Sequence, residues 1–225
     1  MKKLSFLAVL ASFVLYSCGG ATGDKATTGA AEQVAEQSGA TYTVDSSSST
    51  LKWKGYHKGG FDPRFGTLAT TGTVSVENGT LTAGSFIIDI KSIVTDAASV
   101  DTLKTGGKTS LDLDNHLKTA DFFDAETYPT AKFEITSVVD FDAANDVSVV
   151  EGATHIISGN LTIKDQTVNV TFPAKTTIAD DAVTVASKFT INRQDWGLTY
   201  GTEGDPKDWM ISQEVDIELN IKANK

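Results

Sequence analysis

The sequence predicts an all-β fold of about eight antiparallel strands with one short helix inserted between them. Three observations support this fold class. From residue 41 onward, apolar and polar residues alternate with the period of two that is typical of half-buried strands. Short turn sequences separate the alternating segments, and only residues 110–122 have a helical period. With 225 residues and 40% hydrophobic content, the chain fits one domain with one apolar sheet face better than two domains.

The strands are predicted in chain order from these alternating segments. The first is Leu51-Lys-Trp53-Lys, and the next, residues 73–77, is followed by Asn78-Gly79, a dipeptide typical of tight hairpins. Further alternating segments are residues 86–90, 131–139, 157–163, 168–172, 183–191 and 215–222. Periodicity leaves a sandwich and a closed barrel as alternatives, because both bury one apolar sheet face.

A helix is predicted around residues 110–122. Ser110 is a suitable N-cap, and Asp112 and Asp114 lie in the first turn, where the helix dipole favours anions. Four residues follow the spacing of one helix face: Leu113, His116, Leu117 and Ala120. Because a short amphipathic helix between strands must cover apolar surface, we expect it to lie at the mouth of a barrel, with the Phe122-Phe123 pair at its end.

The N-terminus has the features of a secretory signal. Lys2 and Lys3 precede a short apolar run, residues 4–15, which is too short to span a bilayer. The run ends in Leu15-Tyr16-Ser17-Cys18, which resembles a bacterial lipobox. We therefore expect residues 1–17 to be removed and Cys18 to carry the lipid that anchors the protein to a membrane. The alternative is an ordinary secreted protein with one unmodified thiol.

Residues 18–40 consist mainly of Ala, Gly, Thr, Ser, Glu and Gln, with Val34 as the one larger apolar residue. Such a composition buries too little surface to offset the loss of chain entropy. The sequence therefore predicts a flexible tether at 18–40, ahead of a folded domain at 41–225.

Several classes of function are disfavoured by composition and spacing. The formal net charge is −10 and basic residues are not clustered, which argues against nucleic-acid binding. The three histidines are far apart in sequence, and one cysteine cannot form a cysteine cluster, so no metal site or other cofactor is expected. The acidic stretch with Glu203, Asp205 and Asp208 is better interpreted as a solvated turn than as a calcium site. No motif for nucleophilic catalysis is present, so we do not expect an enzyme.

Five segments, in this order along the chain, resemble the YceI-like family. They are residues 86–93 (FIIDIKSI), 114–124 (DNHLKTADFFD), 128–133 (YPTAKF), 159–164 (GNLTIK) and 191–197 (INRQDWG). The resemblance extends from about residue 42 to residue 222, and residues 58–66 match only loosely. It implies a secreted bacterial protein with an eight-stranded, lipocalin-like barrel, a helical cap beside the mouth, and an apolar cavity for a polyisoprenoid or similar amphiphile.

That resemblance implies a set of candidate ligand-binding residues. They are Trp53, Phe86, Ile88, His116, Phe122, Phe133, Ile135, Phe189, Arg193 and Trp196. For the aromatic residues, packing in a filled core is the alternative to lining a cavity. His116 and Arg193 are candidates for a ligand headgroup, with the alternatives of a packed histidine and of an arginine paired with Asp195 or another carboxylate.

The functional prediction is a binding protein that holds a lipid-like ligand, such as a polyisoprenoid or an isoprenoid quinone, for carriage, storage or protection in the cell envelope. One alternative is an envelope stress or interaction protein whose barrel is filled by its own side chains. Another is an enzyme acting on a lipid-like substrate. We expect the protein to face the periplasm or the cell surface, and a homodimer is compatible with the sequence.

Overall fold

The computed structural model describes residues 20–202 and 211–225. The signal sequence and Cys18, like the acidic residues 203–208, lie outside the described residues. The described part of the chain contains eleven strands and one α-helix, α1 (Ser110–Leu117). The strands are β1 (Asp24–Lys25), β2 (Thr27–Gly29), β3 (Ala40–Val44), β4 (Thr50–His57), β5 (Arg64–Glu77), β6 (Thr80–Thr95), β7 (Thr130–Asp140), β8 (His155–Ile163), β9 (Gln166–Ile178), β10 (Ala182–Asn192) and β11 (Ile211–Asn224).

The strands form a closed antiparallel barrel. From β4 to β11 each strand pairs with the next in sequence. Strand β11 then pairs with β4, which closes a barrel of eight strands. Strand β3 precedes β4 along the same edge of β5 and also pairs with the end of β11. The prediction of an eight-stranded barrel with one short helix is therefore confirmed, and the sandwich is wrong, because the described strands form one sheet that closes on itself through the β11–β4 pairing.

The predicted Asn78-Gly79 turn connects β5 and β6. Glu77 pairs with Thr80 across a two-residue loop, and Asn78 and Gly79 have φ values of 53° and 78°. Both values lie in the left-handed region, which Asn and Gly adopt at low cost and which matches the twist of a tight hairpin.

Helix α1 begins one residue earlier and ends earlier than the sequence predicts. Thr109, not Ser110, is the N-cap, because its side chain accepts from the backbone of Asp112 while the Asp112 carboxylate accepts from the backbone N–H of Thr109. Such a reciprocal capping box satisfies two backbone donors that a helix terminus leaves free. Asp114 fixes the helix to the barrel, since its Oδ1 accepts from the backbone N–H of Thr95 at 2.7 Å.

Residues 20–39, here called the N-terminal strap, lie along the barrel wall. Strands β9 and β10 pair directly only between Lys175–Ile178 and Val183–Ala186. Beyond that point β1 pairs with Phe189 and Thr190 of β10, and β2 pairs with residues 169–171 of β9. The strap therefore completes the seam between β9 and β10.

The strap continues across the neighbouring strands. Glu32 exchanges two backbone hydrogen bonds with the side-chain amide of Asn160, and the backbone N–H of Ala35 donates to the carbonyl of Ile135. This arrangement differs from the flexible tether expected for residues 18–40. Composition indicates only how much apolar surface this segment can bury. Its backbone is ordered instead by pairing with strand edges.

Within the residues that the structure describes, no helix is long and apolar enough to cross a membrane.

Candidate ligand-binding cavity

The barrel encloses a cavity of about 350 Å³. Its wall consists almost entirely of apolar side chains that alternate inward along β4 to β11. At the end near the β5–β6 hairpin, the lining residues Leu81, Ile157 and Ile221 are buried, whereas His57 and Arg64 at the helix end are only half-buried. The cavity therefore extends from the β5–β6 hairpin to the end of the barrel where His57, Arg64 and helix α1 lie.

Aromatic rings form a continuous row inside the barrel. Phe86 and Phe133 have ring centroids 6.2 Å apart, Phe133 and Phe172 are 5.9 Å apart, and Phe172 stacks on Phe189 at 4.0 Å. Phe172 and Phe189 thus connect β9 and β10 inside the barrel. Phe189 is also one of the residues with which the strap pairs. The row gives the cavity a rigid apolar wall with polarisable faces.

Eight of the ten residues proposed from the sequence line this cavity. They are Trp53, Phe86, Ile88, Phe122, Phe133, Ile135, Phe189 and Arg193. Their contact with a ligand remains a prediction, but the structure brings them to one surface. Phe122 belongs to the helical segment and packs with Ile93 and Leu117, so this segment covers the end of the barrel as expected.

His116 lies outside the cavity lining and is half-buried on the helix. Its side chain is 38% exposed, and its Nε2 is 3.2 Å from Oδ2 of Asp121. Its ring packs edge-on against Phe122 and Tyr200, with centroid distances of 5.2 Å and 4.9 Å. These contacts correspond to the packed, hydrogen-bonded histidine that was the alternative interpretation.

Arg193 reaches the cavity wall, but protein carbonyls occupy all three of its nitrogen atoms. Its Nε donates to Ser212 at 3.0 Å, its Nη2 to Ile211 at 3.2 Å, and its Nη1 to Leu198. Burial lowers the pKa of the Arg193 guanidinium. No described carboxylate forms an ion pair with it, and Asp195 instead accepts from Thr28. Arg193 therefore connects the segment after β10 to the beginning of β11, which favours a structural role over headgroup binding.

Trp196 is a core residue and does not line the cavity. It is 1% exposed, and its Nε1 donates to the carbonyl of Leu161 at 2.8 Å. The short 3-10 helix that carries it, Arg193–Trp196, begins directly after β10. An aromatic residue after a strand is compatible with core and with cavity wall, so only the packed structure separates the two.

Gly55, His57 and Arg64 also line the cavity, although they are not among the residues predicted from the sequence. A signal for two of them was present, because the alternation that starts at Leu51 and Trp53 places Gly55 and His57 on the same strand face. Arg64 joins them because it pairs directly with Gly55 across β4 and β5.

Among the described residues, no three histidine, cysteine or acidic side chains are clustered so as to hold a metal ion.

An eight-stranded antiparallel barrel around an apolar cavity, with a short helix at one end, has the architecture of a lipocalin-like protein. The chain belongs to the YceI-like family: the model of the YceI-like domain matches residues 42–223. A comparison with curated proteins finds no match.

Solved structures of the same fold are known. One is BcnA of Burkholderia cenocepacia, with a TM-score of 0.58 and 22% sequence identity, in an alignment that covers 80% of this chain and 99% of BcnA. Another is a polyisoprenoid binding domain from Saccharophagus degradans implicated in plant cell wall breakdown. It has a TM-score of 0.57 and 16% identity, and the alignment covers 85% of this chain and 99% of that domain.

Proposed function

We propose that this protein binds an amphiphilic, lipid-like ligand, such as a polyisoprenoid or an isoprenoid quinone, with the tail inside the barrel. The observation that carries the proposal is the cavity of about 350 Å³ with an almost wholly apolar wall. Burial of an alkyl or prenyl tail would contribute roughly 25 cal/mol per Å² of apolar surface. Membership of the YceI-like family and the likeness to a polyisoprenoid binding domain support this class of ligand.

The proposal is for passive binding rather than catalysis. Leu, Ile, Val and Phe side chains, which make up most of the wall, offer no acid, base or nucleophile to a buried tail. The cavity also favours a ligand over the filled barrel of the alternative hypothesis, because a filled barrel leaves no space of this size.

The substitution Gly55→Leu is expected to weaken binding of a prenyl ligand by at least about tenfold. Gly55 lines the cavity, and a Cβ atom built there meets no heavy atom within 4 Å, so the leucine would fill ligand space without displacing protein. The measurement is native mass spectrometry of the full chain after incubation with farnesene, with Cys18→Ser in every sample so that no acyl chain competes.

Gly29→Leu is the matched control, because a Cβ at Gly29 also meets nothing within 4 Å but the residue is exposed on the strap. It should bind farnesene like the parent protein. Equal farnesene binding by Gly55→Leu and the parent would place the ligand outside the cavity and contradict the proposal.

We also propose that the protein is exported and anchored in the cell envelope through a lipid on Cys18. The charged, apolar and lipobox-like segments at residues 1–18 support this location. Cys18→Ser is expected to abolish incorporation of radiolabelled palmitate and to move the protein from the membrane fraction to the soluble fraction. Unchanged labelling of the variant would rule out Cys18 as the site of lipidation.

A further inference from the structure

Two buried nitrogen atoms in the cavity wall have no hydrogen-bond partner among the described residues. They are Nε1 of Trp53 and Nδ1 of His57. Leaving a buried polar atom unpaired costs about 1–3 kcal/mol, so such atoms are rare unless a ligand or water pairs with them. A third such atom, Oγ1 of Thr95, does not belong to a residue of the cavity wall.

The side chains of Trp53 and His57 lie on either side of Gly55 along β4. Trp53, Gly55 and His57 alternate inward on β4, and the missing side chain of Gly55 leaves free space between the rings. The open position is therefore flanked along the strand by two side chains whose ring nitrogens have no partner among the described residues.

Arg64 completes this group from the neighbouring strand. It pairs directly with Gly55, and its Nη1 donates to the backbone carbonyls of Asp62, Pro63 and Ser99. These bonds hold the guanidinium in place at the helix end of the cavity. Its Nε and Nη2 make no hydrogen bond to any residue in the described part of the chain, whereas each nitrogen of Arg193 donates to a carbonyl.

We propose that Trp53, His57 and Arg64 form a polar subsite over Gly55 that binds a hydrogen-bond-accepting oxygen of the ligand headgroup. An indole N–H and a guanidinium are donors only, and imidazole donates from whichever nitrogen carries the proton. A group of donors selects an acceptor, which is a carbonyl oxygen or a phosphate oxygen. This subsite rests on the proposed function, because it orients a ligand whose tail occupies the barrel.

The two headgroup candidates predicted from the sequence, His116 and Arg193, do not belong to this subsite. His116 packs outside the cavity lining against Phe122 and Tyr200, and each nitrogen of Arg193 already donates to a backbone carbonyl. Trp53, His57 and Arg64 lie at the helix end of the barrel, so a headgroup bound there leaves the tail to extend toward Leu81 near the β5–β6 hairpin.

Three probes with the same prenyl tail test the subsite: farnesene has no headgroup, farnesylacetone has an uncharged carbonyl, and farnesyl phosphate is anionic. In the full chain carrying Cys18→Ser, we expect farnesylacetone or farnesyl phosphate to bind at least about fivefold more tightly than farnesene, as measured by native mass spectrometry. Preference for the phosphate over the ketone would indicate that the charge of Arg64 contributes, and equal preference would indicate hydrogen bonding alone.

The variants Trp53→Phe and His57→Phe keep an aromatic body and remove the ring nitrogens. Each is expected to reduce the preference for the oxygen-bearing probes while leaving the affinity for farnesene within about twofold. His116→Gln is the control and should keep the preference. A preference that survives both aromatic substitutions but is lost in His116→Gln would overturn the proposal.

Infrared spectroscopy of bound farnesylacetone tests the same contact without a variant. A hydrogen bond from Trp53 or His57 should lower the carbonyl stretching frequency relative to its value in hexane, and an unshifted band contradicts the subsite. Equal binding of the three probes contradicts the subsite alone, whereas binding of none of them contradicts the proposed function itself.

Discussion

Replacement of Asp216 by alanine is expected to lower the free energy of unfolding by about 3–5 kcal/mol. Asp216 lies on the outer face of β11 but is only 3% exposed, because the strap covers it. Its carboxylate accepts from both side-chain and backbone donors: Tyr56 Oη at 2.8 Å, Thr190 Oγ1 at 2.5 Å, the backbone N–H and hydroxyl of Thr22, and the backbone N–H of Gly23. Alanine would leave these donors unpaired.

The same substitution should release the start of the strap. Gly23 approaches β10 so closely that a Cβ there would lie 2.6 Å from the backbone of Phe189, and the carboxylate holds the segment in that position. Urea denaturation measures the loss of stability, and hydrogen exchange measures the release, as faster exchange at residues 22–29. Unchanged exchange there would show that the β1 and β2 pairings hold the strap without Asp216.

The contribution of Asp216 should depend on pH in a defined direction. Burial raises its pKa, but the hydrogen bonds from Thr190, Thr22, Tyr56 and Gly23 outweigh burial, so the pKa in the folded state is below its ordinary value. A carboxyl group with a lowered folded pKa contributes stability above its unfolded pKa of about 3.9 and loses that contribution as the pH falls through the folded value. Asp216→Asn, the matched variant, should lose stability at neutral pH and show a smaller decrease below about pH 4.

Arg193→Ala is expected to lower the free energy of unfolding by about 3–5 kcal/mol, because three buried carbonyl groups lose their donors. These carbonyls belong to Leu198, Ile211 and Ser212, so the guanidinium connects the segment after β10 to the beginning of β11. Arg193→Lys should recover little of this stability, since one ammonium group cannot reproduce the planar set of donors. Chemical denaturation of the three proteins measures the differences.

Asp195→Ala is the control, because Asp195 is exposed and was the alternative partner of Arg193. We expect it to change stability by less than about 0.5 kcal/mol. A loss as large as that of Arg193→Ala would show that an ion pair, and not the carbonyl contacts, is responsible.

Local sequence patterns were sufficient to predict most of the fold. Alternation placed the strands around Trp53, Phe86, Phe133 and Phe189, and the Asn78-Gly79 turn lies where its dipeptide indicates. These features depend on side chains close together in sequence, whose period and turn preference are local properties. The helix was predicted one residue late at its start, since Ser110 and Thr109 are both suitable N-caps and only the geometry of Asp112 distinguishes them.

The strap was not predicted, for a physical reason. Its residues are small and polar, so composition indicates little burial, and the partners of its backbone are strand edges more than a hundred residues away. Backbone pairing of that kind depends on where β9 and β10 separate, which is a property of the closed barrel.

The sequence by itself determined that the chain forms an antiparallel barrel, that a short helix interrupts the strands, and which strand residues face inward. These features follow from local periodicity and from family motifs. Only the tertiary structure decided which inward residues fill the core and which surround a cavity. Trp53 and Trp196 were both predicted to line the cavity; Trp196 is bonded to Leu161 in the core, whereas Trp53 lines the cavity and its Nε1 has no partner among the described residues. That difference arises from the packing of strands distant in sequence, which no local pattern records.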